Sequence, residues 1–545
     1  MAAKKPTYAE QVALFGAHLS RIEDKLDRVL AGALPASTSL AVETAVEARA
    51  ADGAAVAVTI GADRQQPGGG AERERIAAGD SAVGDIVAAR PAPSTPVIDQ
   101  VTPDPYPTPG TVIDGVTYFQ AYRRGRAGVL PPIARRPEEL VADRLVLPFA
   151  RAVVMGEVAP AAKPYVPGSY KGTGLVPYFG TTGERGEIGL ITTAQADWLM
   201  GAAPDLMLAQ AEAHGSVPVH GTINGRVIDV LKYPLATFDY RAVNRPWQRP
   251  YFDIRVRDGL NGEEAVTPEG AHYPSLCYVP FLATLDLYYL AEVQFAATFM
   301  ICGGPPDGAQ GRGLVMRHQQ RYYAWALRAL AEAYVATLEA ERVYGSPLSP
   351  PLLPSSYWLQ ILNNNLDEAF ARRLTRQDGT PFATPEMTAL VGEMGFLGTN
   401  DLNIAPWQQD YITTVLGWMV WTGRIPQAKP LYDFNVRQAV KRATGDWRSQ
   451  AIHYYIAPPA PSLPQTAGHT MGPTWIDTLI SHGFAPTVDG NYRADSTKGY
   501  IPYLRASTAV AVLNGVPGAT DAFAFADAQS KRVKFIPHRW AVAVQ

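Results

Sequence analysis

The sequence predicts a mainly α protein. A double layer of helices is preceded by a β-rich accessory region and by a separate N-terminal coiled-coil helix. Three observations predict this. The stretch APWQQDYITTVLGWMVWTGRIPQA, residues 405–428, holds three tryptophans and carries no charge from Tyr411 to Gly423. From about residue 275 onward, helix-length apolar windows dominate the chain. Within the first 34 residues, apolar positions recur at alternating spacings of three and four.

The bulk numbers bound the answer. A chain of 545 residues with 47% hydrophobic content can bury a large core and form two to four domains. A net charge of -3 gives no electrostatic case for a nucleic-acid partner. Two cysteines, Cys277 and Cys302, exclude a disulfide framework and read as small buried hydrophobes. The opening MAAKKPTYAEQVALFGAHL lacks the apolar core and cleavage site of a secretory signal. No window reaches the roughly 18 to 20 apolar residues of a membrane span. The expectation is a chain made in the cytoplasm, with no signal peptide and no membrane span.

In order, residues 1–34 place Val12, Phe15, Leu19, Ile22, Leu26 and Val29 on one seam, with charged residues between them. An apolar stripe must be buried, and no folded neighbour follows at once, so a self-associating anchor is expected. Residues 35–110 are rich in Ala, Pro and Gly, with no aromatic residue before Tyr106. Such composition buries too little to offset ordering entropy and reads as a flexible tether. Residues 111–190 form the β-rich accessory region. Asp114-Gly115, and Asn224-Gly225 further on, are hairpin-turn dipeptides. TTAQADWLMGAAPDLMLAQAEAHG reads as helical.

Residues 191–530 form the helical body. SLCYVPFLATLDLYYLAEVQFAATFMIC reads as two helices broken near Thr284-Leu285-Asp286. The next helix ends at Gly345, and SSYWLQILNNNLDEAFARRL starts with a serine cap. On a helix, Trp407, Tyr411, Thr414, Trp418 and Trp421 share one stripe, while Ile412, Leu416, Met419 and Val420 occupy the other faces. A helix apolar nearly all round is enclosed nearly all round, which two concentric layers provide. Residues 531–545 read as a closing strand.

HYPSLCYVPFLATLDLYYLAEVQF, ILNNNL and APWQQDY resemble the alternating helices of (α/α)-toroid carbohydrate-active proteins, the polysaccharide lyases above all. The resemblance covers about residues 190–530. It implies a groove at the inner-helix ends, with sugar rings stacked on aromatics. Trp407, Tyr411, Trp418, Gln408, His272, Tyr273 and Asn365 are then the carbohydrate-binding candidates. Lyase chemistry on a uronate needs charge neutralisation, a base and an acid. Asn364 or Asn365 would neutralise, Arg321 or Arg317 would bind carboxylate, and Tyr322 or His318 would move protons. The plain alternatives are helix caps and a surface histidine. A hydrolase instead needs two facing carboxylates, for which Asp410, Glu184, Glu187 and Asp401 are available. Asp410 also suits the first turn of a helix, and Arg185 with the two glutamates suits surface ion pairs. No HExxH occurs, the nine histidines are scattered, and the cysteines form no zinc pair. No metal site and no cofactor is expected.

The layout of anchor, tether and body resembles a bacteriophage virion fibre or decoration protein. It implies a homo-oligomer joined through its N-terminal helix, held in a larger virion-like assembly, whose body meets surface polysaccharide. A polysaccharide-degrading enzyme using the same groove is the alternative. An intracellular scaffold whose groove is only packing is the third.

Overall fold

The chain turns where its local chemistry demands a turn. A computed structural model describes residues 48–49, 55–56, 101–103, 111–113, 116–123, 130–156, 170–181, 185–238, 266–303, 311–315, 320–348, 352–371, 406–445 and 497–544. The N-terminal seam of residues 1–34 lies outside them.

The chain divides into two units, Met1–Arg90 and Pro91–Gln545. In the first, the described residues are β1 (Ala48–Arg49) and β2 (Ala55–Val56), paired antiparallel. The described residues of the chain, nearly all in the second unit, are about 60% helical with few strands. The sheet of the second unit contains β3 (Val101–Pro103), β4 (Thr111–Ile113), β5 (Val116–Arg123), β6 (His220–Ile223) and β7 (Arg226–Val227). Both hairpin dipeptides lie between paired strands. Ile113 faces Val116, and Ile223 faces Arg226. Asn224 and Gly225 have φ of 51° and 71°, the left-handed pair that a tight two-residue turn requires. β5 also pairs with β6, Tyr118 to Ile223 and Ala121 to His220, so one sheet joins the expected accessory region to the expected helical body.

Among the described residues the helices begin with α1 (Pro137–Ala142), α2 (Thr193–Leu199) and α3 (Asp205–Ala213). Thr192 and Gln195 form a reciprocal capping box at the start of α2. α4 (Tyr278–Thr284) and α5 (Leu287–Cys302) are the expected pair, broken at Leu285 with φ 59° and restarted by Asp286, whose carboxylate accepts the Tyr288 N–H. α6 (Gln320–Tyr344) stops at Gly345, φ 84°. α7 (Ser355–Ala371), α8 (Pro406–Trp421), α9 (Lys429–Thr444), α10 (Thr497–Leu513) and α11 (Ala519–Val533) follow. Ser355 is the first residue of α7 rather than its cap, and its hydroxyl donates to Glu341 at 2.5 Å.

Two helices take the central positions. α6 packs against α5, α7 and α8, while α8 packs against α6, α9 and α10. Every residue of α8 from Pro406 to Met419 is buried, as the uncharged run from Tyr411 onward required, and Asp410 is the one acid among them. Its aromatic stripe meets other protein rings. Tyr411 stacks on Trp540 with centroids 5.5 Å apart and planes at 17°, and touches Trp325 at 4.8 Å and Tyr503 at 4.7 Å. Trp418 meets the edge of Tyr278, and its Nε1 donates to the Leu145 carbonyl at 3.2 Å. Gly417 permits this closeness. A Cβ there would lie 2.4 Å from Val510 on α10 and 2.8 Å from Tyr432 on α9.

The C-terminal end differs from the expected strand. α11 continues to Val533 and ends at Lys534, φ 52°. Beyond it, Ile536 and Val542 make single bridges to Met155 and Phe149, on either side of a short 3-10 turn at His538–Trp540. That turn delivers Trp540 to Tyr411, so core packing rather than strand pairing sets its path.

Candidate functional site

The sugar-binding candidates are interior. Trp407, Tyr411 and Trp418 are 5%, 1% and 2% exposed, and rings packed against Tyr500, against Trp325, Tyr503 and Trp540, and against Tyr278 respectively offer no platform to a sugar. Gln408 is buried and accepts the Arg321 backbone N–H at 3.3 Å. His272 pairs with Glu269 at 2.5 Å. Burial alone would raise the Glu269 pKa, but His272 and the Ala271 N–H reverse this and lower it. Asn365 is wholly engaged: it accepts the Val315 N–H and donates to the Gly313 and Ile361 carbonyls, each at 2.9 Å. Asn364 donates to the Arg312 carbonyl at 2.8 Å. The asparagine run therefore pins residues 312–315 to α7.

The catalytic candidates have comparable internal work. Tyr322 donates to the Met300 carbonyl at 3.0 Å, and its ring covers Gly270, where a Cβ would sit 2.0 Å from a ring carbon. The Arg321 guanidinium lies over the Trp407 ring at 5.6 Å. Asp410 accepts from Arg442 at 2.5 Å and from Ser507 at 3.1 Å, tying α8, α9 and α10 together. Burial raises its pKa, and Arg442 and Ser507 pull it part of the way back. It faces a guanidinium, not the second carboxylate that hydrolysis needs. Glu187, itself buried, and Arg185 form a part-buried pair at 2.7 Å rather than a surface one. His318, Arg317, Glu184 and Asp401 lie outside the described residues.

The structure thus brings Arg321, Trp407 and Gln408 into contact, and sets Tyr322 beside the turn carrying His272. Among the described residues it does not assemble the remaining candidates around an opening. A groove of about 760 Å³ lies along α9 and the end of α10, lined by Tyr432, Val436, Val440, Lys441, Asn514 and Val516 among others. None of the catalytic or sugar-binding candidates lines it.

A different constellation lies deeper. Glu292 is the single charged residue of α5, LYYLAEVQFAATFMIC, and is 0% exposed. An unmatched carboxylate in such a place is several kcal/mol unfavourable. It is met by two imidazoles. His214 Nδ1 and His220 Nε2 each lie 2.6 Å from Glu292 Oε2. His214 immediately follows α3, and His220 opens β6. The far nitrogen of His214, Nε2, lies 2.8 Å from the Tyr273 hydroxyl. Phe295 closes over His220 edge-on with centroids 5.0 Å apart.

Three residues earlier on the same face of α5, Tyr289 donates to buried Glu212 at 2.8 Å. Burial, and then the nearby carboxylates, push the pKa values of Tyr273 and Tyr289 well above the ordinary value, so both hydroxyls keep their protons. Below this layer Arg328 donates to the Tyr273 carbonyl at 2.6 Å and also to the Gly189 carbonyl. Glu332, 3.6 Å from Arg328, accepts from Ser275 at 2.7 Å. Burial lifts the Glu332 pKa to about 7, against the opposing pull of Arg328 and Ser275.

His214, His220 and Glu292 have their donor atoms within 4.8 Å of one another, and such a set can hold a divalent cation. No residue of this cluster was expected as a ligand. The available signal was Glu292, one carboxylate alone in an apolar helix.

Comparison with protein-family models, curated proteins and solved structures finds no match for the chain.

Proposed function

We propose that the protein is a structural subunit of a larger, virion-like assembly. It joins copies of itself through the N-terminal seam and displays its helical body on the intervening tether. The observation that carries this reading is the fate of the candidate chemistry. Asp410, Asn365, Tyr322 and Trp418 all serve as internal ties or packing. A body that spends such residues on holding itself together suits an architectural role. The seam of Val12, Phe15, Leu19, Ile22, Leu26 and Val29 supplies the assembling element.

Within the same reading, the body follows the two-layer plan of an (α/α) toroid, with α6 and α8 inside and the amphipathic α9 and α11 outside. Burial of α8 on every side supports the plan. Surface-glycan contact through Trp407, Tyr411 and Trp418 is not part of the proposal, because their rings are enclosed.

Sedimentation velocity on the full chain tests it. The wild type should sediment as an oligomer, and Leu19→Asp with Leu26→Asp should shift it toward the monomer. A wild type that stays monomeric at high concentration removes the proposal. The enzyme reading has its own assay, incubation with uronate polysaccharide. No rise in unsaturated product should occur, and a rise abolished by Asn364→Ala or Tyr322→Phe would put a lyase in its place.

A further inference from the structure

We propose that His214, His220 and Glu292 form a buried transition-metal site, with zinc as the ion its donors suit best. Two imidazole nitrogens and one carboxylate oxygen match the preferences of zinc and its first-row neighbours.

Three features of the geometry carry the inference. First, both imidazoles aim at the same oxygen, Oε2, instead of dividing between the two carboxylate oxygens. This convergence brings the three donor atoms within 4.8 Å of one another, close enough for one ion to reach all of them. Second, His214 offers Nδ1 to the centre while its Nε2 reaches the Tyr273 hydroxyl at 2.8 Å. A metal-bound imidazole characteristically uses its other nitrogen in this way, which fixes the tautomer and the ring orientation. Tyr273 is itself anchored, because its carbonyl accepts from Arg328. Third, the ligands come from separate parts of the chain, 72 and 78 positions apart, and none is more than 1% exposed. An ion here would tie α3, β6 and α5 together from inside.

The 2.6 Å separations are those of imidazole N–H groups donating to the carboxylate. Zinc bonds of ~2.0 Å in a tetrahedron set ligand atoms ~3.3 Å apart, so binding opens each pair by roughly 0.7 Å. On binding, each ring turns a lone pair to the ion, and the proton that faced Glu292 is carried instead on the other ring nitrogen, which in His214 then donates to the Tyr273 hydroxyl oxygen. Three protein ligands leave one tetrahedral position for a water molecule. The enclosure points to a structural ion, taken up before the core closes.

The test therefore loads metal during synthesis. The full chain is produced in medium supplemented with zinc or with cobalt, washed with chelator while folded, and assayed for metal by mass spectrometry. The expected result is about one ion per chain, as a site coupled to folding retains. The cobalt form should show the visible bands of a four-coordinate site, and X-ray absorption on the zinc form should show two imidazoles in a nitrogen-oxygen shell. Glu292→Gln and His220→Gln should cut retention at least tenfold. Should either variant fail to fold, the wild-type absorption spectra decide alone. Folded wild type with less than a tenth of an ion per chain from both media overturns the proposal. So does metal retained undiminished in folded Glu292→Gln, or a zinc shell without imidazole.

Discussion

Two buried carboxylates in the same core are met by different chemistry. Asp410 faces Arg442, a guanidinium that keeps its charge at every accessible pH, with Ser507 completing the shell. Glu292 faces His214 and His220, two imidazoles whose nitrogens are also metal ligands. Both acids are 1% exposed or less. A permanent cation makes a fixture, in which the charge is matched once and nothing further can be taken in. Paired imidazoles make a centre that can take in an ion. Asp410, singled out in the sequence, has the first kind of environment, and Glu292, which escaped attention there, has the second.

Removing the guanidinium should give the largest effect. Arg442→Met leaves Asp410 buried without its ion-pair partner and should lower unfolding stability by about 3–5 kcal/mol. Adding Asp410→Asn should recover most of that loss. Urea denaturation of the single and double variants measures both. A double variant no more stable than the single one would show that Arg442 acts through packing instead.

A smaller effect is expected at Glu332, which like Asp410 has a guanidinium and a serine beside it, though its guanidinium, Arg328, is farther off at 3.6 Å. Its pKa is raised from 4.5 to about 7 in the folded chain. Protonation is therefore favoured by folding. The stabilising contribution is complete below pH 4.5 and is lost as pH rises through about 7. Across that window the loss is on the order of 3 kcal/mol. Glu332→Gln mimics the protonated form, so its stability relative to wild type should rise between these pH values and level off above them. Equal pH dependence in the two proteins would place the titration on another group.

The smallest contrast lies within the asparagine run. Asn365→Ala abandons one buried N–H and two carbonyls and should reduce stability by about 2 kcal/mol. Asn364→Ala gives up one bond at the margin and should stay within about 1 kcal/mol. Thermal unfolding of both separates them. The reverse order would restore Asn364 as the more important neighbour of residues 312–315.

Local chemistry was legible in the sequence, and long-range pairing was not. The break at Leu285 and Asp286, the stop at Gly345 and the turn at Asn224-Gly225 depend on a few adjacent residues, and each stands where expected. Enclosure of α8 was also legible, since thirteen uncharged residues tolerate no other surroundings. What encloses it was not. An aromatic stripe looks the same whether it faces a sugar or a tyrosine, and Trp540 reaches Tyr411 from 129 positions away. The imidazoles and Glu292 were hidden by the same separation. The sequence showed an apolar helix with one acid in it, but pairing that acid with His214 and His220 needs the path of α3 and β6 around α5.

Hydrogen exchange across residues 406–421, read by mass spectrometry on the full chain, tests most directly the idea that the aromatic helix is interior framework. These amides should exchange only through global unfolding, as slowly as any in the body, and uronate oligosaccharide should leave them unchanged. Exchange within minutes under native conditions, or new protection when the sugar is added, would contradict the account and return this helix to the wall of a binding groove.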